Sequence, residues 1–124
     1  MGDITQSLLI RFRRKKRVKA LFDSGAQTSF IREDIAKHIG AVSLDKVYYT
    51  LPDGSRAKGK LTNFFVQIQN KYSSINAIIT PHIKEQLIIG SDFMQDNNLI
   101  LDLAKEKYRF PKTAPKVRKV YKLR

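Results

Sequence analysis

A small, mostly-β single domain is predicted by three features of the 124-residue sequence. Short apolar runs recur along the whole chain, separated by Pro, Gly, Asn and Asp turn signals. Only two stretches, 30–39 and 91–97, place apolar residues at helical spacing. Strands do not alternate with long helices as a parallel α/β sheet requires. An apolar share of 42% is sufficient for a genuine core at this length.

In order, residues 7–12 and 18–22 read as strands around a charged turn at 13–17, a hairpin. Residues 23–29 form an acidic turn between apolar flanks. Ile31, Ile35, Ala36 and Ile39 then mark a helix over 30–39, opened by Ser29 or by Arg32-Glu33-Asp34 and stopped by Gly40. Residues 42–51 and 60–69 are strand-like and flank Pro52-Asp53-Gly54-Ser55, so this region reads as a hairpin with a polar, glycine-bearing tip. A turn at 70–74 leads to a strand at 75–80 and a loop at 81–85. Leu87-Ile88-Ile89 ends at Gly90, Ser91-Asp92 cap a short helix to Asn97 with Phe93 and Met94 inward, and strands follow at 99–101 and 108–110. Residues 1–110 are read as the domain and 111–124 as a basic, flexible tail.

Composition excludes several chemistries. There is no cysteine, so disulfides and thiolate metal sites are absent; His38 and His82 stand far apart without metal-ligand spacing. No metal or cofactor is expected. No run approaches the roughly 20 apolar residues that span a bilayer, and the basic cluster follows the short Leu8-Leu9-Ile10 run where a secretory leader would have it first. A cytoplasmic protein without a membrane partner is the expectation. The net charge of +13 concentrates in Arg11 to Lys19 and Lys112 to Arg124. Such clusters either keep a surface solvated or bind nucleic acid weakly and in a salt-dependent way; no nucleic-acid motif accompanies them.

Asp23 is the chemically unusual residue. A carboxylate drawn toward a core needs a purpose or a partner. Hydrolysis of an amide needs one group to take a proton from water and another to give one to the leaving nitrogen, and no histidine or nucleophile–base spacing supplies the second group. A two-fold axis through the turn supplies it from another copy of the chain. Two carboxylates brought together share one proton, so one acts as base and the other as acid.

Leu21-Phe22-Asp23-Ser24-Gly25-Ala26 resembles the active-site signature of retropepsin-like aspartic proteases, the family of retroviral and retrotransposon proteases and of the DNA-damage-inducible proteins. Leu87-Ile88-Ile89-Gly90 with Ser91-Asp92-Phe93-Met94 resembles that family's second signature, and Leu51-Pro52-Asp53-Gly54-Ser55 its flap tip. The resemblance implies a closed β-barrel per subunit of a homodimer acting as an aspartic endopeptidase on polypeptide substrates. It implies that Asp23 is catalytic, that Ser24, Gly25, Ala26 and Gly90 support the active-site loop, and that Asp53, Gly54 and Ser55 form the flap. Ile83 and Ile88 are implied as subsite walls. Retroviral members commonly carry an acid where Gln27 stands and an arginine where Ser91 stands, so the interface here must be held differently. The alternative is an inactive protein of this fold that binds nucleic acid or an acidic partner through its basic clusters.

Overall fold

The computed structural model describes residues 3–51 and 53–112. Period-two burial builds its first hairpin: β1 (Ile4–Arg11) turns Leu8 and Ile10 inward, and β2 (Lys15–Phe22) does the same with Val18, Ala20 and Phe22. The two pair antiparallel along their full length. β2 starts within the expected charged turn, because Lys15, Arg17 and Lys19 alternate outward and cost the inner face nothing.

The expected helix over 30–39 divides. Phe30 to Arg32 form β3 (Phe30–Arg32), and only then does α1 (Glu33–Ile39) begin, with Arg32 as its N-cap. Sheet pairing overrides helical spacing here: β3 lies parallel to β6 (Lys71–Thr80) and antiparallel to β7 (Leu87–Ile89). Gly40 ends α1 at φ 74°, in the left-handed region that favours glycine. The last carbonyls of α1 are capped from the first hairpin, where the Arg14 guanidinium donates to His38 O (2.5 Å) and Lys37 O (3.2 Å).

β4 (Asp45–Thr50) and β5 (Arg56–Ile68) make the expected hairpin around 51–55. A two-residue turn at Gln69 and Asn70, with φ of 59° and 63°, joins β5 to β6. The turn expected over 70–74 is therefore strand from Lys71 onward, because paired positive φ values match the twist of a tight hairpin. After β7 come α2 (Ser91–Asp96), β8 (Ile100–Asp102) and β9 (Lys107–Arg109).

The hydrogen-bonded order β1-β2-β7-β3-β6-β5 closes on itself through the β1–β5 pairing, giving a six-stranded barrel with β4 attached to β5. The mostly-β expectation holds. The core fills this ring with Ile10, Phe22, Ile31, Phe64, Val66, Ile75, Leu87 and Ile89, all essentially inaccessible. β8 and β9 form a separate hairpin tied to the barrel by Tyr108, whose ring stacks on Phe22 at 4.9 Å. Gln6 accepts the Tyr108 N–H (2.6 Å) and Gln69 the Phe110 N–H (2.9 Å). No helix among the described residues is long and apolar enough to cross a membrane. The tail expected over 111–124 lies, beyond Lys112, outside the described residues.

Phe22 thus joins the barrel core to the β8–β9 hairpin. Phe22→Ala is expected to cost about 3–5 kcal/mol in urea unfolding, as deletion of a fully buried phenyl does. A loss below about 1 kcal/mol contradicts its place at the centre of the packing.

Candidate active site

β2 delivers its last buried residue, Phe22, and its pairing with β7 runs on one step further, the Asp23 N–H donating to Ile89 O (2.9 Å). The chain folds tightly: Gly25 N–H donates to Asp23 Oδ1 (2.9 Å) and Ala26 N–H to Asp23 O (3.1 Å). The half-buried Asp23 side chain is thus oriented by its own turn. Among the described residues no Lys, Arg or His forms an ion pair with it.

The far end of the loop is clamped from the chain's other half. Ser29 is wholly buried. Its hydroxyl donates to Asp92 Oδ1 (2.9 Å) and accepts the Gly90 N–H (2.9 Å), while its N–H reaches Asp92 Oδ2 (3.4 Å). Ser91 N–H donates to Ala26 O (2.7 Å), and Ile78 N–H to Ser29 O (3.0 Å). The expected cap of α2 by Ser91-Asp92 is corrected by this network. Gly90 is the N-cap and makes no side-chain cap bond; the Asp92 carboxylate serves Ser29, and also its neighbour Phe93 N–H (2.7 Å). Gly90 sits so close to the loop that an added Cβ would lie 2.7 Å from both Ala26 O and Thr28 O.

Above the loop lies an open cleft of about 680 Å³. Asp23, Gly25 and Ala26 form part of its lining, and Phe30, Leu51, Ile83 and Ile88 are its apolar surfaces. The expected residues Asp23, Gly25, Ala26, Ile83 and Ile88 therefore meet in one place. Ser24 does not line the cleft; it borders a separate depression with Ser91, Gln95, Asn98 and Tyr108. Asp53, Gly54 and Ser55 are also outside the lining, to which the hairpin contributes Tyr49, Thr50 and Leu51. Tyr49 was not among the expected site residues. It packs on Phe30 at 5.2 Å, and its hydroxyl is hydrogen-bonded to the buried Thr80 Oγ1. The aromatic position one turn-arm before a glycine-bearing tip was its only sequence signal. His82, Lys84 and Glu85 supply the polar rim.

The hairpin tip has its own lock. Gly54 adopts φ 90°, and Asp53 Oδ1 accepts both Ser55 Oγ–H (2.6 Å) and Ser55 N–H (2.9 Å). These bonds, the hydroxyl foremost, hold the Asp53 carboxyl below its ordinary range.

A family model described as aspartyl protease matches residues 10–93. No curated protein matches the chain. Among solved structures, the retroviral protease-like domain of Ddi1 from Leishmania major superposes with a TM-score of 0.66 at 18% identity, over 89% of this chain and 90% of that one. EIAV protease complexed with the inhibitor HBY-793 gives 0.60 at 18% identity, over 74% and 85%. The protease of Simian Foamy Virus (mac) gives 0.51 at 13%, over 73% and 92%. The barrel is thus of the retropepsin-like fold.

Two outcomes test the geometry. Ser29→Ala leaves the Gly90 N–H and the Asp92 carboxylate without their shared partner, and is expected to cost about 1–3 kcal/mol in urea unfolding; a neutral result removes the clamp. For the tip, a depressed carboxyl stabilises the folded turn above the ordinary aspartate value of 3.8 and loses that contribution as pH falls through the lower folded value. The Ser55 amide resonance should therefore titrate with a midpoint below 3.8. A midpoint at or above it contradicts the Asp53–Ser55 lock.

Proposed function

The chain belongs to the aspartyl protease family, and from that premise we propose that it is an aspartic endopeptidase whose catalytic centre forms when two copies bring their Asp23 residues together. The observation that carries this reading is Asp23 itself, one loop carboxylate oriented by Gly25 on the floor of a peptide-sized, largely apolar cleft. One carboxylate per chain is half of an acid–base pair; a two-fold axis at the loop completes it.

In the assembled site the ionised carboxylate takes a proton from a water held between the pair. The water oxygen bonds to the scissile carbonyl carbon, and the protonated carboxyl gives its proton to the carbonyl oxygen, leaving a tetrahedral diol. The carboxyl protonated by the water then gives its proton to the amide nitrogen, and the other carboxylate takes a proton from the diol. The C–N bond breaks, and an acid and an amine leave with the pair again sharing one proton. The substrate lies extended along the cleft, where strand-like backbone bonding suits it. Ile83, Ile88, Phe30 and Leu51 receive its apolar side chains, and the β4–β5 hairpin closes over it with Asp53, Gly54 and Ser55 at the tip.

The partner-facing surface is the other side of the loop. Ser24 borders the depression beside α2 and β9, and reaches the other copy from there. Two apolar side chains lie exposed on the adjoining β8–β9 hairpin, Ile100 at 41% and Leu103 at 79%. Their burial in a dimer supplies the apolar contact that the missing retroviral ion pair would otherwise reinforce.

Asp23→Asn is expected to fold and dimerise yet lose cleavage of an unstructured polypeptide by roughly 10²–10⁴-fold, with a bell-shaped pH dependence in the parent protein. Turnover retained in the variant sinks the assignment. Leu103→Arg with Ile100→Arg should shift sedimentation toward monomer and abolish activity at low protein concentration while the monomer's unfolding midpoint holds. A fully active variant places the dimer contact elsewhere.

A further inference from the structure

Strands β1, β2, β5 and β6 adjoin one another in the barrel and contain no Asp or Glu. Their register puts the basic residues in rows with exposed rings. Lys15 stands opposite Arg11, Arg11 opposite Phe65, and Phe65 opposite Ser74; in the next row Arg17 faces Leu9, Leu9 faces Gln67, and Gln67 faces Tyr72. Side chains opposite each other share a face, and here that face is the outer one. Phe65 is 41% and Tyr72 36% exposed. The Arg11 guanidinium lies 5.2 Å from the Tyr72 ring centroid, which holds the ring as a platform.

Part of the basic run is already occupied, since Arg14 caps α1 and the Arg13 side chain packs against Gly40. Arg11, Lys15, Arg17 and Lys19 have no carboxylate partner among the described residues. The face continues into a hollow of about 350 Å³ bordered by Leu9, Arg17, Gln67, Lys105 and Lys107. The one acid there, Asp102, is engaged by Arg109 at 3.6 Å. None of these residues lines the Asp23 cleft.

The geometry points to this outer face as a binding surface for single-stranded nucleic acid, independent of the catalytic reading. Cations spaced along strands neutralise successive phosphates, and every base offers a π-face to an exposed ring. A duplex hides its base faces, so the rings would gain nothing from it. An acidic polypeptide would use the cations and leave the rings idle.

Fluorescence anisotropy of a labelled 20-mer of thymidylate against the full chain tests this. Log affinity is expected to fall with log salt at a slope of about −2 to −3, the value for three or four neutralised phosphates on a single strand. Phe65→Ala and Tyr72→Ala should each weaken binding about 5- to 100-fold without changing the slope. Lys15→Gln with Arg17→Gln should flatten the slope by about 1.4. Unfolding midpoints confirm that these exposed-site variants fold. The proposal is overturned by ring variants that bind like the parent, by an equal-length duplex or a polyglutamate peptide binding as tightly, or by no binding at low salt. It is equally overturned if changing Lys116, Arg118, Lys119 and Lys122 to Gln abolishes binding by itself.

Discussion

One close approach of two backbones governs this molecule: Gly90 against the carbonyls of Ala26 and Thr28. Because no Cβ intervenes, the strand β7 and the helix α2 meet the Asp23 loop at hydrogen-bonding range. Ser29 exploits that proximity. A hydroxyl is one donor and two acceptors, so a single buried group bonds a carboxylate and a backbone N–H at once. The loop is therefore held at both ends by β7 and the first turn of α2, and the carboxylate of Asp23 projects from a fixed base. On the proposed catalytic reading, pre-set geometry of this kind lets Asp23 act without first being ordered.

The same constraint explains why β7, only three residues long, sits between β2 and β3. It runs parallel to β2 and antiparallel to β3, bracketing the loop that connects them. Any slip of β7 by one residue would turn Leu87 and Ile89 out of the core and carry Gly90 away from the loop. Core packing and site geometry are thus set by one register.

Much of this was legible in the sequence, for physical reasons. Asp-Ser-Gly between apolar flanks and two apolar residues before Gly90 are local patterns, as are Gly40 after a helix and Gly54 in a turn. What escaped was long-range pairing. Phe30 and Ile31 carry helical spacing, yet their neighbours across space are strands, and those decide. Ser29 and Asp92 lie 63 positions apart, and neither residue type announces the other. Lys15 and Arg17 look like turn residues until their outward alternation is matched with β1. The Asp53-Gly54 turn is legible as a turn, but the arm before it, through Tyr49 and Leu51, is what lines the cleft.

Two strand edges lie beside the surfaces of interest. The ring closes through three-residue pairings of β1 with β5, β2 with β7 and β3 with β6, while β4, outside the ring, pairs with β5 alone, and β8 and β9 pair with each other. Unpaired edges are the hazards of β proteins unless something covers them. Here β4 borders the cleft, where an extended peptide would lie. The β8–β9 hairpin carries Ile100 and Leu103, where a second copy would dock. On the proposed reading substrate and partner would cover these two open edges. The outer face of β1, β2, β5 and β6 is the converse case: its backbone is largely paired, so what it offers a partner is charge and ring surface.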